Sequence, residues 1–93
     1  MAEASSYTLS VSGPARRTLG EQIPETVAAA VLEFITGDLL RTPRRVGKPL
    51  RAPFLGKWGA RRGTYRVIYT IDDDHRVVTI ITVTHRRDAY RPH

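Results

Sequence analysis

The chain has 93 residues, of which 41% are hydrophobic, and a net charge of +6 with a pI near 10.5. This length predicts one small domain over residues 1–93, in which roughly 60–65% of the surface is buried on folding. The apolar content excludes a disordered chain. The absence of cysteine excludes disulfides, thiol catalysis and cysteine-ligated metals. The positive charge predicts an acidic partner, with nucleic acid ahead of an acidic protein or a membrane surface.

The N-terminal residues contain no apolar run, so the sequence predicts neither a signal peptide nor a membrane span, and the expected location is cytoplasmic. We expect residues 1–6 to be disordered. Tyr7, Leu9 and Val11 alternate with polar residues, which predicts a short strand. Ser12, followed closely by a proline, is typical of a helix start.

A second helix is predicted from Pro24, with Glu25 suited to the positive end of the helix dipole. Apolar side chains recur at helical spacing as far as Leu39, and Pro43 is expected to stop the helix. The two helices are closely joined and predict an αα-hairpin. Glycines and prolines interrupt residues 44–56 without a clear period, which predicts a surface loop.

Three further strands are predicted, over residues 57–61, 65–71 and 76–84. The last has apolar residues at both parities, which indicates a central strand covered on both sides for part of its length. An acidic turn separates the last two strands. The predicted fold class is therefore α+β, with the order β-α-α-β-β-β and an antiparallel-rich sheet that has the αα-hairpin on one face.

A basic block extends from Arg41 to Arg66. It contains nine of the fifteen Lys and Arg residues, and no Asp or Glu occurs between Asp38 and Asp72. This clustering predicts a phosphate-binding surface. The histidines lack metal-ligand spacing, so neither a metal nor a cofactor is predicted. Six residues are expected to make general contacts with nucleic-acid phosphates: Arg44, Arg45, Lys48, Arg51, Arg62 and Arg87.

Residues 47–50 and 55–69, which read GKPL and LGKWGARRGTYRVIY, resemble the signature of RelE-type toxins, the toxin halves of bacterial toxin–antitoxin modules. The resemblance extends from Tyr7 to Tyr90. It implies a sheet similar to that of microbial ribonucleases, with helices on one face and an RNA site on the other. It also implies a metal-independent endoribonuclease that cuts messenger RNA on the ribosome, and a hetero-oligomer with an acidic antitoxin.

The resemblance also implies which arginines stabilise the charge on the phosphate. Arg66 matches an arginine that binds the scissile phosphate, Arg61 matches a basic position just before it, and Arg86 matches a second stabilising arginine. Arginine suits this task because its guanidinium binds phosphate through two parallel hydrogen bonds. Arg61 and Arg62 are adjacent on a strand and face opposite ways, so only one of them can join such a site.

The remaining catalytic candidates transfer protons. By the same resemblance, Lys57 matches the first of two family lysines, and the second falls at Gly59 in this chain. Tyr90 matches a tyrosine proposed to act in proton transfer or base stacking. Relatives that use a glutamate base place it near residues 49–51, where this chain has none. His85 is therefore an alternative general base, since the reference pKa of histidine lies near neutrality.

Other interpretations stay open on the sequence alone. The chain could be a ParE-like relative that acts on a DNA topoisomerase, a non-catalytic basic module that binds RNA, or a degenerate toxin retained for binding its antitoxin. For Arg66, the alternative is a solvated strand arginine. Trp58, Tyr65 and Tyr69 are predicted to pack in the core and not to stack on bases.

Overall fold

A five-stranded sheet forms the centre of the computed structural model, which describes residues 6–85. Its strands are β1 (Thr8–Val11), β2 (Lys48–Pro49), β3 (Trp58–Arg62), β4 (Tyr65–Asp72) and β5 (Val77–His85). They lie in the order β1-β5-β4-β3-β2, with β1 parallel to β5 and all other neighbours antiparallel. The predicted antiparallel-rich α+β fold is confirmed. The expectation that residues 1–6 are disordered falls almost entirely outside the described residues.

The helices begin and end where the local sequence favours it. They are α1 (Gly13–Arg17) with a following π-helical turn (Thr18–Gln22), α2 (Glu25–Phe34) with a second π-helical turn (Ile35–Leu39), and α3 (Pro43–Val46). The Ser12 side chain accepts a hydrogen bond from the Ala15 N–H at 3.2 Å, which confirms the predicted N-cap. Thr42 has a φ of −138° and a ψ of 66°, because a residue before proline avoids the helical region. Pro43 therefore stops the helical segment, as predicted.

One face of the sheet packs on the helices and is called the helix face. Its fully buried side chains include Val67, Tyr69, Val78 and Ile80. The opposite face carries Arg61 and Arg66, which are paired directly across β3 and β4, and is called the arginine face. The helical residues in the same core are Ala15, Val31, Ile35 and Leu39.

A β-bulge in β5 changes which side chains face the core. The register between β4 and β5 skips Ile81, so one extra residue lies in β5. Every later residue of the strand is thereby shifted to the other face. Val83 is buried with Val78 and Ile80 although it has the opposite parity. This change of parity accounts for the apolar residues that suggested cover on both sides. Ser12 fixes the bulge, since its hydroxyl donates to the Ile81 carbonyl at 2.5 Å.

The loop predicted for residues 44–56 contains two short elements that the sequence did not indicate. Pro43 occupies the first turn of α3, and the two residues of β2 pair with Gly59 and Trp58 of β3. Helices and strands of this length leave no measurable period in a sequence, so the prediction of a continuous loop was wrong. The correction matters because β2 adds a fifth strand at the edge beside the basic residues.

Tyr69 holds this edge in place. Its side chain is fully buried, and its hydroxyl donates a hydrogen bond to the Pro43 carbonyl at 2.5 Å. Burial raises the pKa of Tyr69 to about 12, which keeps the phenol protonated as a donor. Gly47 lies against this hydroxyl, and a Cβ there would also approach the Gly59 carbonyl to 2.8 Å. The prediction that Tyr69 is a core residue is confirmed.

Asp73 connects the acidic turn to two distant parts of the chain. Its carboxylate accepts from the Tyr7 hydroxyl at 2.6 Å and from both terminal nitrogens of Arg44 at 3.1 and 2.6 Å. The Arg44 guanidinium, with a smaller contribution from Tyr7, lowers the pKa of Asp73 to about 2. The turn is therefore a structural connection between β1, α3 and the β4–β5 hairpin, and not only a change of direction.

We expect Tyr69→Phe to lower the free energy of unfolding by about 1–2 kcal/mol, because the buried Pro43 carbonyl loses its donor. Gly47→Ala should cost about 1–3 kcal/mol, because the new methyl group overlaps Tyr69. Urea denaturation of each variant measures both values. Gly20→Ala is the matched control, since a Cβ at Gly20 meets no atom within 4 Å. An unchanged free energy of unfolding for Tyr69→Phe would contradict this role for the hydroxyl.

Asp73→Asn should lower the melting temperature at neutral pH, and the effect should vanish in acid. The pKa of Asp73 is depressed in the folded protein, so its stabilisation is fully present above the ordinary value of 3.8. It is lost as the pH falls through about 2. Thermal melts across this range, with Asp74→Asn as a control from the same turn, provide the measurement. A difference from wild type that persists below the folded-state pKa would contradict the ion-pair explanation.

Candidate nucleic-acid interface

A cleft of about 340 Å³ lies on the arginine face at the β2 edge of the sheet. We call it the β3–β4 cleft. Two arginines and one lysine contribute to it, and a leucine forms its apolar side. Its lining residues are Val46, Gly47, Lys48, Leu50, Gly59, Ala60, Arg61 and Arg66.

The pairing of β3 with β4 sets Arg61 directly opposite Arg66. Residues in this position have Cβ atoms roughly 4.5–5.5 Å apart, and like charges there are destabilising. Lys48 pairs with Gly59 on the same face, which brings a third cation to the cleft. The backbone therefore concentrates positive charge at one point of the sheet.

Gly59 allows Arg66 to cross β3. A Cβ at position 59 would lie 3.3 Å from the Arg66 Nε and 3.0 Å from the Leu50 Cδ2. The Arg66 side chain, half-buried and with a buried Nε, therefore occupies the space above this glycine. A glycine inside a strand often marks such a close approach. The family resemblance leads one to expect a second lysine at position 59. In this structure the Arg66 side chain of the neighbouring strand occupies that space.

Lys57 precedes β3 and has the same parity as Gly59 and Arg61. Its backbone carbonyl accepts a hydrogen bond from the Leu50 N–H at 2.9 Å, so it lies beside the end of the cleft. Arg45 is exposed on α3, and Arg51 is exposed in the segment that follows β2. These positions surround the cleft but do not line it.

Two of the predicted site residues lie on the helix face of the sheet, opposite the cleft. Arg62 pairs with Tyr65 on the helix face, next to α2, as expected if only one of the neighbouring arginines joins the site. His85 also pairs with Tyr65, and their rings meet edge to face at 5.2 Å. The bulge at Ile81 is the reason, because strict alternation would have put His85 on the arginine face. The structure therefore does not bring His85 together with Arg61 and Arg66.

Arg44 has a structural partner. Besides its ion pair with Asp73, its guanidinium lies 5.9 Å from the centre of the Trp58 ring. The same pairing raises the pKa of Arg44. Arg44, which the sequence predicts to make general phosphate contacts, is therefore already engaged by the Asp73 carboxylate. Trp58 and Tyr65 pack against the core, as predicted.

Arg86, Arg87 and Tyr90 lie outside the described residues. Within residues 6–85, no group of three or more His, Cys, Asp or Glu side chains is arranged to hold a metal ion. No helix in that range is long and apolar enough to cross a membrane. The lining residues that sequence reasoning missed are Val46, Gly47, Leu50 and Ala60, and their only signal was the glycine-rich spacing around the basic residues.

The chain is similar to a known protein family and to individual known proteins. The family model described as "ParE toxin of type II toxin-antitoxin system, parDE" matches residues 6–90. The chain is 53% identical to Toxin RelG of Mycobacterium tuberculosis over 85 residues, which is 91% of this chain and 97% of that protein. It is 45% identical to Toxin RelE of the same organism over 91 residues, which is 98% of this chain and 93% of that protein.

A solved structure is similar as well. A chain in the crystal structure of the toxin-antitoxin complex RelBE2 from Mycobacterium tuberculosis superimposes with a TM-score of 0.82 and 52% identity. The match covers 87% of this chain and 99% of that chain. Sequence and fold therefore point to the same group of proteins.

Proposed function

Because the chain belongs to the ParE toxin family of type II toxin–antitoxin systems, we propose that it is a ribosome-dependent endoribonuclease that cleaves messenger RNA and inhibits translation. The observation that carries this proposal is the pairing of Arg61 with Arg66 across β3 and β4, in a cleft that also contains Lys48. A protein that acts on translating ribosomes works in the cytoplasm.

A phosphate fits this arrangement of cations. Arg61 and Arg66 lie directly opposite each other on β3 and β4, so a phosphate placed between them would be attracted by both charges. Each guanidinium can give a phosphate two parallel hydrogen bonds. Arg66 is held in position by the close fit at Gly59, so it would meet the phosphate in a fixed geometry.

The reaction requires a bond between the ribose 2′-oxygen and phosphorus to form while the bond from phosphorus to the 5′-oxygen breaks. The 2′-hydroxyl loses a proton, and the leaving 5′-oxygen gains one. Arg61, Arg66 and Lys48 supply electrostatic stabilisation of the pentacoordinate phosphate between these states. No metal is needed for this step.

Dependence on the ribosome follows from what the cleft offers. Its lining, as far as the structure describes it, includes no carboxylate and no histidine. A site without a strong base gains most from a substrate that is held in the reactive conformation. The ribosome, which holds the messenger RNA strand in a defined path, would provide this alignment.

The proposed partner is an acidic antitoxin. The net charge of +6 favours a negatively charged protein. The similar RelBE2 chain was crystallised in a toxin–antitoxin complex. An antitoxin that covers the basic face would block access of RNA to the β3–β4 cleft and form a hetero-oligomer with the toxin.

A second candidate is a ParE-like toxin that acts on a DNA topoisomerase, and the matching family model is one of ParE toxins. Such a protein would have no need for clustered arginines on the sheet, so we rank it second. Induced expression without antitoxin separates the two. Loss of messenger RNA integrity supports the ribonuclease, whereas intact message with double-strand DNA breaks would establish the topoisomerase target.

Arg66→Gln should reduce ribosome-dependent cleavage about a hundredfold, as is typical when one preorganised donor to a transition-state oxyanion is removed. Primer extension on a messenger RNA bound to ribosomes measures the rate. Arg62→Gln is the matched control, since it removes an exposed arginine from the helix face of the same hairpin and should leave the rate unchanged. Equal rates for the wild type and Arg66→Gln would overturn the assignment of the site.

His85→Asn should retain ribosome-dependent cleavage within about threefold of wild type, a difference of less than 1 kcal/mol in activation free energy. The reason is that His85 packs against Tyr65 on the helix face. The same primer-extension assay applies, and a thermal melt shows whether the substitution affects folding. A loss of activity approaching that of Arg66→Gln, in a protein with normal stability, would return His85 to the site.

A further inference from the structure

The loop between β2 and β3 carries two adjacent exposed apolar side chains at its tip. Of the large hydrophobic residues in the described part of the chain, three are exposed, namely Leu32, Phe54 and Leu55. Phe54 is 43% exposed and Leu55 is 72% exposed. Two such neighbours at the tip of one loop form a contiguous apolar patch, and the larger patches of this type mark interaction sites.

This segment, called the 51–57 loop, has a defined shape. The Leu50 N–H donates to the Lys57 carbonyl at 2.9 Å and closes its base. Two further hydrogen bonds, from Phe54 N–H to the Arg51 carbonyl at 2.8 Å and from Lys57 N–H to the Phe54 carbonyl at 3.0 Å, fold its interior. Gly56 has a φ of 88°, which an L side chain would disfavour. The tip is therefore presented by an ordered turn.

The loop is continuous with the β3–β4 cleft. Leu50, at its base, lines the cleft, and Lys57, at its other end, leads directly into β3. Its charged residues, Arg51 and Lys57, are both basic. The loop therefore has a cation at each end and an aromatic ring between them.

We propose that the 51–57 loop is a stacking platform for a base of single-stranded RNA next to the phosphate held in the cleft. A nucleotide combines an anionic phosphate with a flat apolar ring. The phosphate matches the cations at the two ends of the loop, and the ring matches Phe54 at its tip. Phe54 supplies the ring, Leu55 extends the apolar surface, and Arg51 and Lys57 contact the backbone. This inference rests on the proposed function, since it takes the strand in the cleft to be RNA.

The test uses the full-length protein and a fluorescein-labelled single-stranded oligoribonucleotide with 2′-O-methyl groups throughout, which cannot be cleaved through its 2′-oxygen. Fluorescence anisotropy gives the Kd at several salt concentrations. Phe54→Ala should weaken binding about five- to 150-fold, the range that corresponds to truncating a stacked aromatic side chain. The slope of log Kd against log salt should not change, because no phosphate contact is lost. Phe54→Trp should bind about as tightly as wild type.

Three further variants test the aromatic ring, one phosphate contact and a control position. Phe54→Leu keeps a large apolar side chain but removes the ring, so it tests stacking in case Phe54→Ala folds poorly. It should weaken RNA binding as much as Phe54→Ala is expected to. Arg51→Gln should reduce the salt slope by about one, as the loss of one phosphate contact does. Leu32→Ala is the matched control, because it removes an exposed leucine from α2 and should leave both Kd and slope unchanged.

The outcomes distinguish failure of the stacking proposal for the loop from failure of the function proposed for the cleft. If Phe54→Ala and Phe54→Leu bind the oligonucleotide like wild type, the stacking platform is refuted, while ribosome-dependent cleavage by wild type would keep the proposed function intact. If these variants bind RNA normally but lose affinity for the antitoxin, the loop is a protein-docking site and the proposal is also overturned. If the wild-type protein neither binds the oligonucleotide nor cleaves message, both proposals fall together.

Discussion

The hydrogen bond from the buried Tyr69 hydroxyl to the Pro43 carbonyl determines where the basic edge of the sheet is built. It connects the centre of β4 to the start of α3, across the gap that Gly47 leaves open. Only residues 44–47 separate Pro43 from β2, and Lys48 of β2 lines the β3–β4 cleft. A neutral phenol in the core therefore controls the position of cations on the other face of the sheet.

The basic residues of this chain divide into two classes by what the fold does with them. Arg44 is joined to a carboxylate and an aromatic ring, so its charge is used to connect α3 to the β4–β5 turn. Arg61, Arg66 and Lys48 are brought together on one face, where they line the β3–β4 cleft. Their placement around one cleft supports the functional assignment more strongly than the net charge does.

The sequence predicted those features that depend on neighbouring residues. Ser12 with Pro14, and Pro43 after an apolar helix, act locally, and both predictions held. The opposite facing of the adjacent Arg61 and Arg62 is local as well, since β3 and β4 alternate regularly through their paired region. His85 could not be predicted in the same way, because its face depends on a bulge stabilised by Ser12, which is distant in sequence. The engagement of Arg44 by Asp73 is likewise a tertiary contact between residues far apart.

The parallel pairing of β1 with β5 has a consequence for how the protein is made. Within the described sheet, β1 pairs only with β5. Thr8–Val11 therefore cannot pair until Val77–His85 has been synthesised. Pairing between strands so distant in sequence is intrinsically slow. The domain therefore completes its fold after most of its translation is over. Until then, the edge of β5 that will hold β1 is available to other chains.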